Sequence, residues 1–492
     1  MATSVKKSLG LQTVYQVLIA SLPLITAPYL SRVLGASSLG VYSFTSSVVL
    51  YFTLFAMLGT VNYGTRAIAL AKDSKEERSK EFWSILVLQV FATSLCAIAY
   101  IVYMTVFCKE NQIVAWIQGV SIISCFFDIS WLYFGIEDFK VTVTRSMVIK
   151  ILTVLSILSF VKKPEDLWLY TLIMSIGTFA NQVVLWFSIP RYIAVVRITV
   201  KDVLKHIKPN LVLFVPLLAM SVYHIMDKTM LGALSSYEQS GYYYNADKLI
   251  NIPLCIINGI GTVMLPRMSS LYNSDKMDEA NSLFLVSLEG VALVSVAMAC
   301  GIAAISSEFV PFFFGEGYDA CILLTVVLSP VLVIKGITNT IRTQYLVPLS
   351  KEKYYINSVL SGAVTNLLFN LLLIPKLGAL GAVLGTLLAE FVSCLVQFLV
   401  IAKDFKLGIC LRNCGLYFLA GVIMFFAVRA VSTIHVTLLL KLVIEIVAGA
   451  LIFVVLSGLI IYKTNSRIYQ EILVGIIGRI PFLRRFTDKG LR

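Results

Sequence analysis

Apolar positions along this chain follow neither the alternation of a half-buried strand nor a narrow helical stripe; they form continuous runs of about 18 to 25 residues from end to end. Wound as a helix, a run of that length crosses a hydrocarbon core of roughly 30 Å. About fourteen spans are predicted, at 9–32, 40–64, 82–107, 113–134, 146–161, 167–190, 210–232, 241–266, 282–305, 320–345, 355–374, 379–402, 414–431 and 439–462. No intervening stretch is long enough for a sizeable soluble domain. The expectation is an all-α polytopic membrane protein. Composition agrees: 58% of the 492 residues are hydrophobic and 14% charged, against roughly 45–50% apolar content in a soluble domain. The basic start, MATSVKKSLG, precedes an apolar segment too long for a signal peptide and reads as the lead into a retained first span. The nine cysteines lie mostly inside apolar runs with no CxxC pair, as small core residues do.

Charge then orients the spans. With the N-terminus inside, about 28 Lys and Arg fall in inner segments and roughly 5 in outer ones, a strong positive-inside bias. Both termini are expected to be cytoplasmic. The net charge of +13 is thereby explained by topology, and no nucleic-acid partner is needed. The tail SRIYQEILVGIIGRIPFLRRF is basic and amphipathic and is expected to lie on the inner leaflet.

The chain also repeats itself at an offset of about 200 residues: RVLGASSLGVYSF (Arg32 to Phe44) lines up with TMLGALSSYEQSGYYYN (Thr229 to Asn245), and GTVNYGTR (Gly59 to Arg66) with GTVMLPR (Gly261 to Arg267). A repeat of six spans gives two parallel six-helix lobes, 1–195 and 196–408, followed by two additional helices within 409–465 and the tail, 466–492. A basic loop, Arg191 to Lys208, joins the lobes, which suits alternating access. Pro23, Pro28, Pro216 and Pro253 would either interrupt helices near a site or merely bend them for packing.

Charges inside apolar spans cost several kcal/mol and usually face a wet cavity or a partner. Here they are Lys150, Lys228, Lys248, Lys335, Arg342, Arg429 and Lys441, with Asp128, Asp227, Asp247, Glu289, Glu390 and Glu445; Arg32 closes the first span. Tyr244, Lys248, Asn251, Cys255 and Asn258 follow at steps of four and three, one polar face of the eighth span. Ser121, Ser124, Asp128 and Trp131 do the same in the fourth. Such faces line a cavity or a helix interface. The Asp227-Lys228 and Asp247-Lys248 pairs either neutralise each other or leave lysines for a ligand. Asp128, Asp227 and Asp247 are also candidates for proton or sodium loading. No catalytic or cofactor motif stands out: the three histidines lie in separate segments, without HExxH, GxSxG or a Walker-type loop. An enzyme is not expected.

The blocks PYLSRVLGASSLGVYSF, FDISWLYFGIEDFKVTVTRSMVIK, DKTMLG, GYYYNADKL, VMLPRMSSLY, QYLVPLSKEKYY and IPKLGALGAVLGTLLAE resemble the Wzx or RfbX-type oligosaccharide flippases of the multidrug/oligosaccharidyl-lipid/polysaccharide exporter superfamily, over about residues 5–402. The resemblance implies movement of an undecaprenyl-diphosphate-linked oligosaccharide repeat unit to the outer leaflet of a bacterial cytoplasmic membrane, for capsule, exopolysaccharide or O-antigen synthesis. It implies membrane lipids, a polysaccharide polymerase and chain-length machinery as partners, and no cofactor beyond a coupling H+ or Na+. Arg32, Lys228, Lys248, Lys150 and Arg342 would then meet the diphosphate, and Tyr244, Asn251 and Asn258 the sugar. The rivals are a cation-coupled multidrug exporter of the same fold, which would want an acidic cavity, and a peptidoglycan-precursor flippase.

Overall fold

The computed structural model describes residues 2–433, 436–464 and 466. Beyond Ser466, the amphipathic tail expected over 466–492 lies outside the described residues. Every regular element among them is helical.

The chain divides into two compact units, one reaching Tyr244 and including Ile374–Ala379, the other comprising Asn245–Leu373 and the chain from Leu380 onward. The first holds α1 (Ala2–Met57), α2 (Thr60–Leu70), α3 (Lys75–Val106), α4 (Gln112–Gln118), α5 (Val120–Cys125), α6 (Ser130–Gly135), α7 (Phe139–Phe160), α8 (Leu167–Val183), α9 (Val200–Leu204), α10 (Ile207–Leu234) and the start of α11 (Tyr237–Asn273). The second holds the rest of α11, then α12 (Met277–Phe314), α13 (Asp319–Leu328), α14 (Pro330–Ile341), most of α15 (Glu352–Leu377) and α16 (Ala379–Ile401), α17 (Gly408–Val431) and α18 (Leu438–Lys463).

Among the described residues, eleven helical segments are long and apolar enough to cross a membrane. One of them, Ser21–Leu70, has 50 residues, enough at about 1.5 Å per residue for two crossings. With α10 and the interrupted helix α4–α6, the count is compatible with fourteen. The chain is an all-α, multi-pass membrane protein.

The first two expected spans are joined at a kink and not by a longer loop. Two helical stretches within Ala2–Met57 meet at Gly35, between the expected spans 9–32 and 40–64, where the backbone leaves the helical conformation at φ 74 and ψ 171, values that glycine adopts without steric cost. Nor do the prolines end helices: α1 continues through Pro23 and Pro28, and α11 through Pro253.

The duplicated segments meet. A Cβ on Gly40 would stand 1.6 Å from the Tyr237 carbonyl oxygen, and one on Gly241 would stand 1.9 Å from that of Ala36. Gly40 and Gly241 are equivalent in the repeat, and each meets the carbonyl four residues before the other, so the contact is reciprocal. Only glycine lets two helix backbones come this close. The copies differ elsewhere. Gly59 sits in a left-handed turn before α2 (φ 77), whereas its equivalent, Gly261, stays inside α11.

The fourth span, expected as one helix over 113–134, is broken between α5 and α6. Asp128 explains the break: its Oδ1 accepts from the Ser130 amide at 3.0 Å, and an aspartate that bonds the local backbone competes with helix. The Gln89 carboxamide donates to the carbonyls of Cys125 (2.6 Å) and Asp128 (2.9 Å), so two carbonyls at the break keep donors. The Trp131 indole closes the network on Gln89 Oε1 at 3.1 Å. Trp131 is fully buried, with Phe82, Ile85, Leu132, Leu185 and Ile189. On the polar face read in this span, Ser124 and Trp131 are buried in packing, whereas Ser121 and Asp128 are half-buried.

In the second unit the appended helices pack firmly. Met424 and Val428 of α17 and Phe453 of α18 join Val296 and Ala304 of α12 in one buried cluster.

Candidate functional site

The intramembrane charges sort by what neutralises them. In the first unit Lys150 sits half-buried midway along α7. Among the described residues it has no hydrogen bond and no carboxylate within ion-pair distance. Lys228 of α10 lies 5.5 Å from the centroid of the Tyr244 ring, a cation–π distance. Tyr244 belongs to an aromatic group, 6.5 Å from Tyr42, which is 4.8 Å from Tyr170. Asp227 is buried and accepts a 2.6 Å hydrogen bond from the Tyr243 hydroxyl. Arg32 is exposed on α1.

In the second unit the stripe on α11 is open. Asn251, Cys255 and Asn258 are all exposed, and Lys248 is half-buried, so this face is not sealed in a helix interface. The Asn251 carboxamide donates to Asp247, at 2.8 Å to its carbonyl and 2.9 Å to its Oδ1. Arg342 begins a π-helical turn, Arg342–Leu346, a local widening often found at functional positions. Its guanidinium donates to Asn339 Oδ1 at 2.7 Å and lies 5.4 Å from the Tyr355 ring centroid. Both partners are neutral. Like Lys150, Arg342 has no carboxylate within ion-pair distance among the described residues. Sequence reasoning found Arg342 but missed Asn339 and Tyr355, because nothing in their spacing marks them.

Other cations are matched in place. Lys335 of α14 pairs with Glu390 of α16 at 3.2 Å. Glu308 near the end of α12 takes both Arg429 of α17 (3.0 Å) and Lys441 of α18 (3.1 Å). Glu289 accepts from Asn413 and Tyr417, each at 2.8 Å. Glu308 escaped the sequence reading because the ninth span was ended at residue 305; the apolar FVPFFF that follows Glu308 carries the helix to Phe314.

A cavity of about 800 Å³ opens in the first unit among α2, α3 and α10, with Arg66, Lys80, Lys208, Glu77 and Glu81 on its walls. Beside it the buried His206 places Nδ1 2.7 Å from the Tyr63 hydroxyl and Nε2 3.4 Å from Glu81. Burial lowers the His206 pKa below its ordinary 6.5, outweighing the opposing pull of Glu81. The hydrogen bond from Lys80, 2.9 Å away, and that from Thr199 hold the Asp202 carboxyl below the usual range. Thr199 and Asp202 form a capping box that starts α9. Sequence reasoning registered these residues only as topological charge. Among the described residues no three His, Cys, Asp or Glu side chains assemble as a metal site.

Residues 5–272 match a family described as polysaccharide biosynthesis protein. A candidate O-antigen transporter of Escherichia coli (strain K12) is 23% identical over 396 residues, covering 79% of this chain and 94% of that protein. Among solved structures, a lipid II flippase in an inward closed conformation aligns with a TM-score of 0.75 at 15% identity, covering 92% of this chain and all of that one. An inward-facing multidrug transporter aligns at 0.59 and 13% identity, covering 78% and 94%. At such identities these two likenesses establish the fold alone.

Proposed function

Since the chain belongs to the polysaccharide biosynthesis protein family, we propose that it is a non-enzymatic flippase carrying an undecaprenyl-diphosphate-linked oligosaccharide repeat unit across a bacterial cytoplasmic membrane, with both its own termini on the cytoplasmic side. The observation that carries this reading is the pair of intramembrane cations, Lys150 and Arg342, with no carboxylate within ion-pair distance among the described residues. A diphosphate leaving water for a low-dielectric path needs cations that are not already spent on protein acids. A cavity for cationic drugs would place acids there instead. In this reading Arg32, Lys228 and Lys248 also meet the diphosphate, while Tyr244 and the exposed Asn251 and Asn258 offer the sugar a ring face and amide groups. The site opens alternately to the two leaflets, driven by an H+ or Na+ gradient through Asp128, Asp227 or Asp247.

The test is made in cells whose native copy is replaced by Lys150→Ala, Lys228→Ala or Lys248→Ala variants at normal abundance. Each is expected to accumulate lipid-linked repeat units inside and to lose surface polymer. Normal surface polymer in the triple variant overturns the site assignment. In proteoliposomes, transport indifferent to pH and sodium gradients overturns the coupling. A polysaccharide polymerase and chain-length machinery would receive the flipped units.

A further inference from the structure

Among the described residues, one buried carboxyl group has no hydrogen-bond partner on either oxygen: Glu445 of α18, 0% exposed. It differs from the three aspartates above, each of which accepts a hydrogen bond. Its surroundings are nonetheless charged. Lys441 precedes it by four residues on the same helix, hence one turn away on the same face. From α12 comes Glu308 and from α17 Arg429, both near enough to act on Glu445 electrostatically. In the present arrangement the two cations are committed elsewhere, Arg429 at 3.0 Å and Lys441 at 3.1 Å from Glu308, which also accepts from Ser307.

An ionised carboxylate buried with no donor costs several kcal/mol. With Glu445 protonated, the four side chains carry one net positive charge; with it ionised, they carry none. Ionisation therefore suits the cluster's overall charge but lacks a contact partner, and Lys441 can supply one. Its flexible four-carbon stem can turn from Glu308 to Glu445, leaving Arg429 on Glu308. We propose that Glu445 is a proton-binding site, loaded in this conformation, whose proton release draws Lys441 away from Glu308. The ends of α12 and α17 and the start of α18, which hold the cluster, face outside in the sequence-derived orientation, and the Arg429 and Lys441 side chains are 38% and 21% exposed, a way in for the proton. That this site couples a proton gradient to transport rests on the flippase reading; that it binds a proton does not.

The experiment uses the full chain in lipid nanodiscs and infrared difference spectroscopy at neutral pH. Subtracting Glu445→Gln from wild type should reveal the carbonyl stretch of a protonated carboxylic acid, and Glu308→Gln, which frees Lys441 for Glu445, should move that band's disappearance to lower pH. A difference containing only carboxylate bands overturns the proposal. Lys441→Met keeps the acid but removes its exchange partner, and should shift the band's disappearance to higher pH; an unshifted titration overturns the lysine exchange. In proteoliposomes holding undecaprenyl-diphosphate-linked oligosaccharide, Glu445→Gln should weaken the response to a pH gradient, to which the aspartates above also contribute, and retain gradient-free movement. An equal response in wild type and variant overturns the coupling. If neither protein moves the lipid, the flippase reading fails while the infrared result stands.

Discussion

Lys150 and Lys335 are each a basic residue near the middle of an apolar helix, although α7 also carries Lys140 and Arg145 nearer its start whereas α14 has no other charge. Lys335 has Glu390 at 3.2 Å; Lys150 has no carboxylate within ion-pair distance among the described residues. The first arrangement is neutral in place and needs nothing from outside. The second is complete only when water, a lipid headgroup or an anionic cargo meets the ammonium group. The contrast separates charges that hold helices together from charges held in reserve, a distinction that tallies of bases against acids do not make.

The largest expected effect tests the neutralised member. Lys335→Met leaves Glu390 buried and unpaired, which should cost about 3–5 kcal/mol of stability. The double change Lys335→Met with Glu390→Leu should recover most of it, as read by thermal unfolding in detergent. A single variant as stable as wild type would break the contrast from that side. Next, Lys150→Gln and Arg342→Gln should leave unfolding unchanged but slow transport roughly ten- to a hundredfold, the equivalent of losing about 1.5–3 kcal/mol of charged hydrogen bonding to cargo. A melting loss without a transport loss would move them into the structural class.

A control apart from the intramembrane cations is the glycine crossing. Gly40→Ala or Gly241→Ala must displace backbone and should cost about 1–3 kcal/mol of stability, with no change in the pH response of transport. The smallest effect is a titration outside the spans. Because folding lowers the His206 pKa, the unfolded chain binds this proton first as pH falls. The contribution of neutral His206 is therefore fully present above 6.5 and is lost as pH falls through and below that value. Melting curves of His206→Gln should show a shallower acid decline than wild type.

Much of this molecule is legible in its sequence, because a membrane span is a property of one contiguous run. Span positions, the duplication and the inventory of intramembrane charges follow from hydropathy and spacing alone. Partnership does not. Lys335 and Glu390 are 55 residues apart, and Glu308 draws its cations from two helices more than a hundred residues downstream, so no periodicity links them. The break at Asp128 was hidden for a related reason: the donors that make it tolerable, Gln89 and Trp131, belong to packing and not to the local pattern. The isolation of Glu445 was equally invisible, since a sequence cannot state that a neighbouring lysine points elsewhere.

The reciprocal approach of Gly40 to Tyr237 and of Gly241 to Ala36 has the form of an isologous contact, in which site one meets site two and site two meets site one. Were each copy of the repeat a separate polypeptide, this pair of contacts would join two identical chains about a two-fold axis. The crossing thus has the form of a homodimer contact within a single chain: a substitution at either glycine must be accommodated by the backbone facing it.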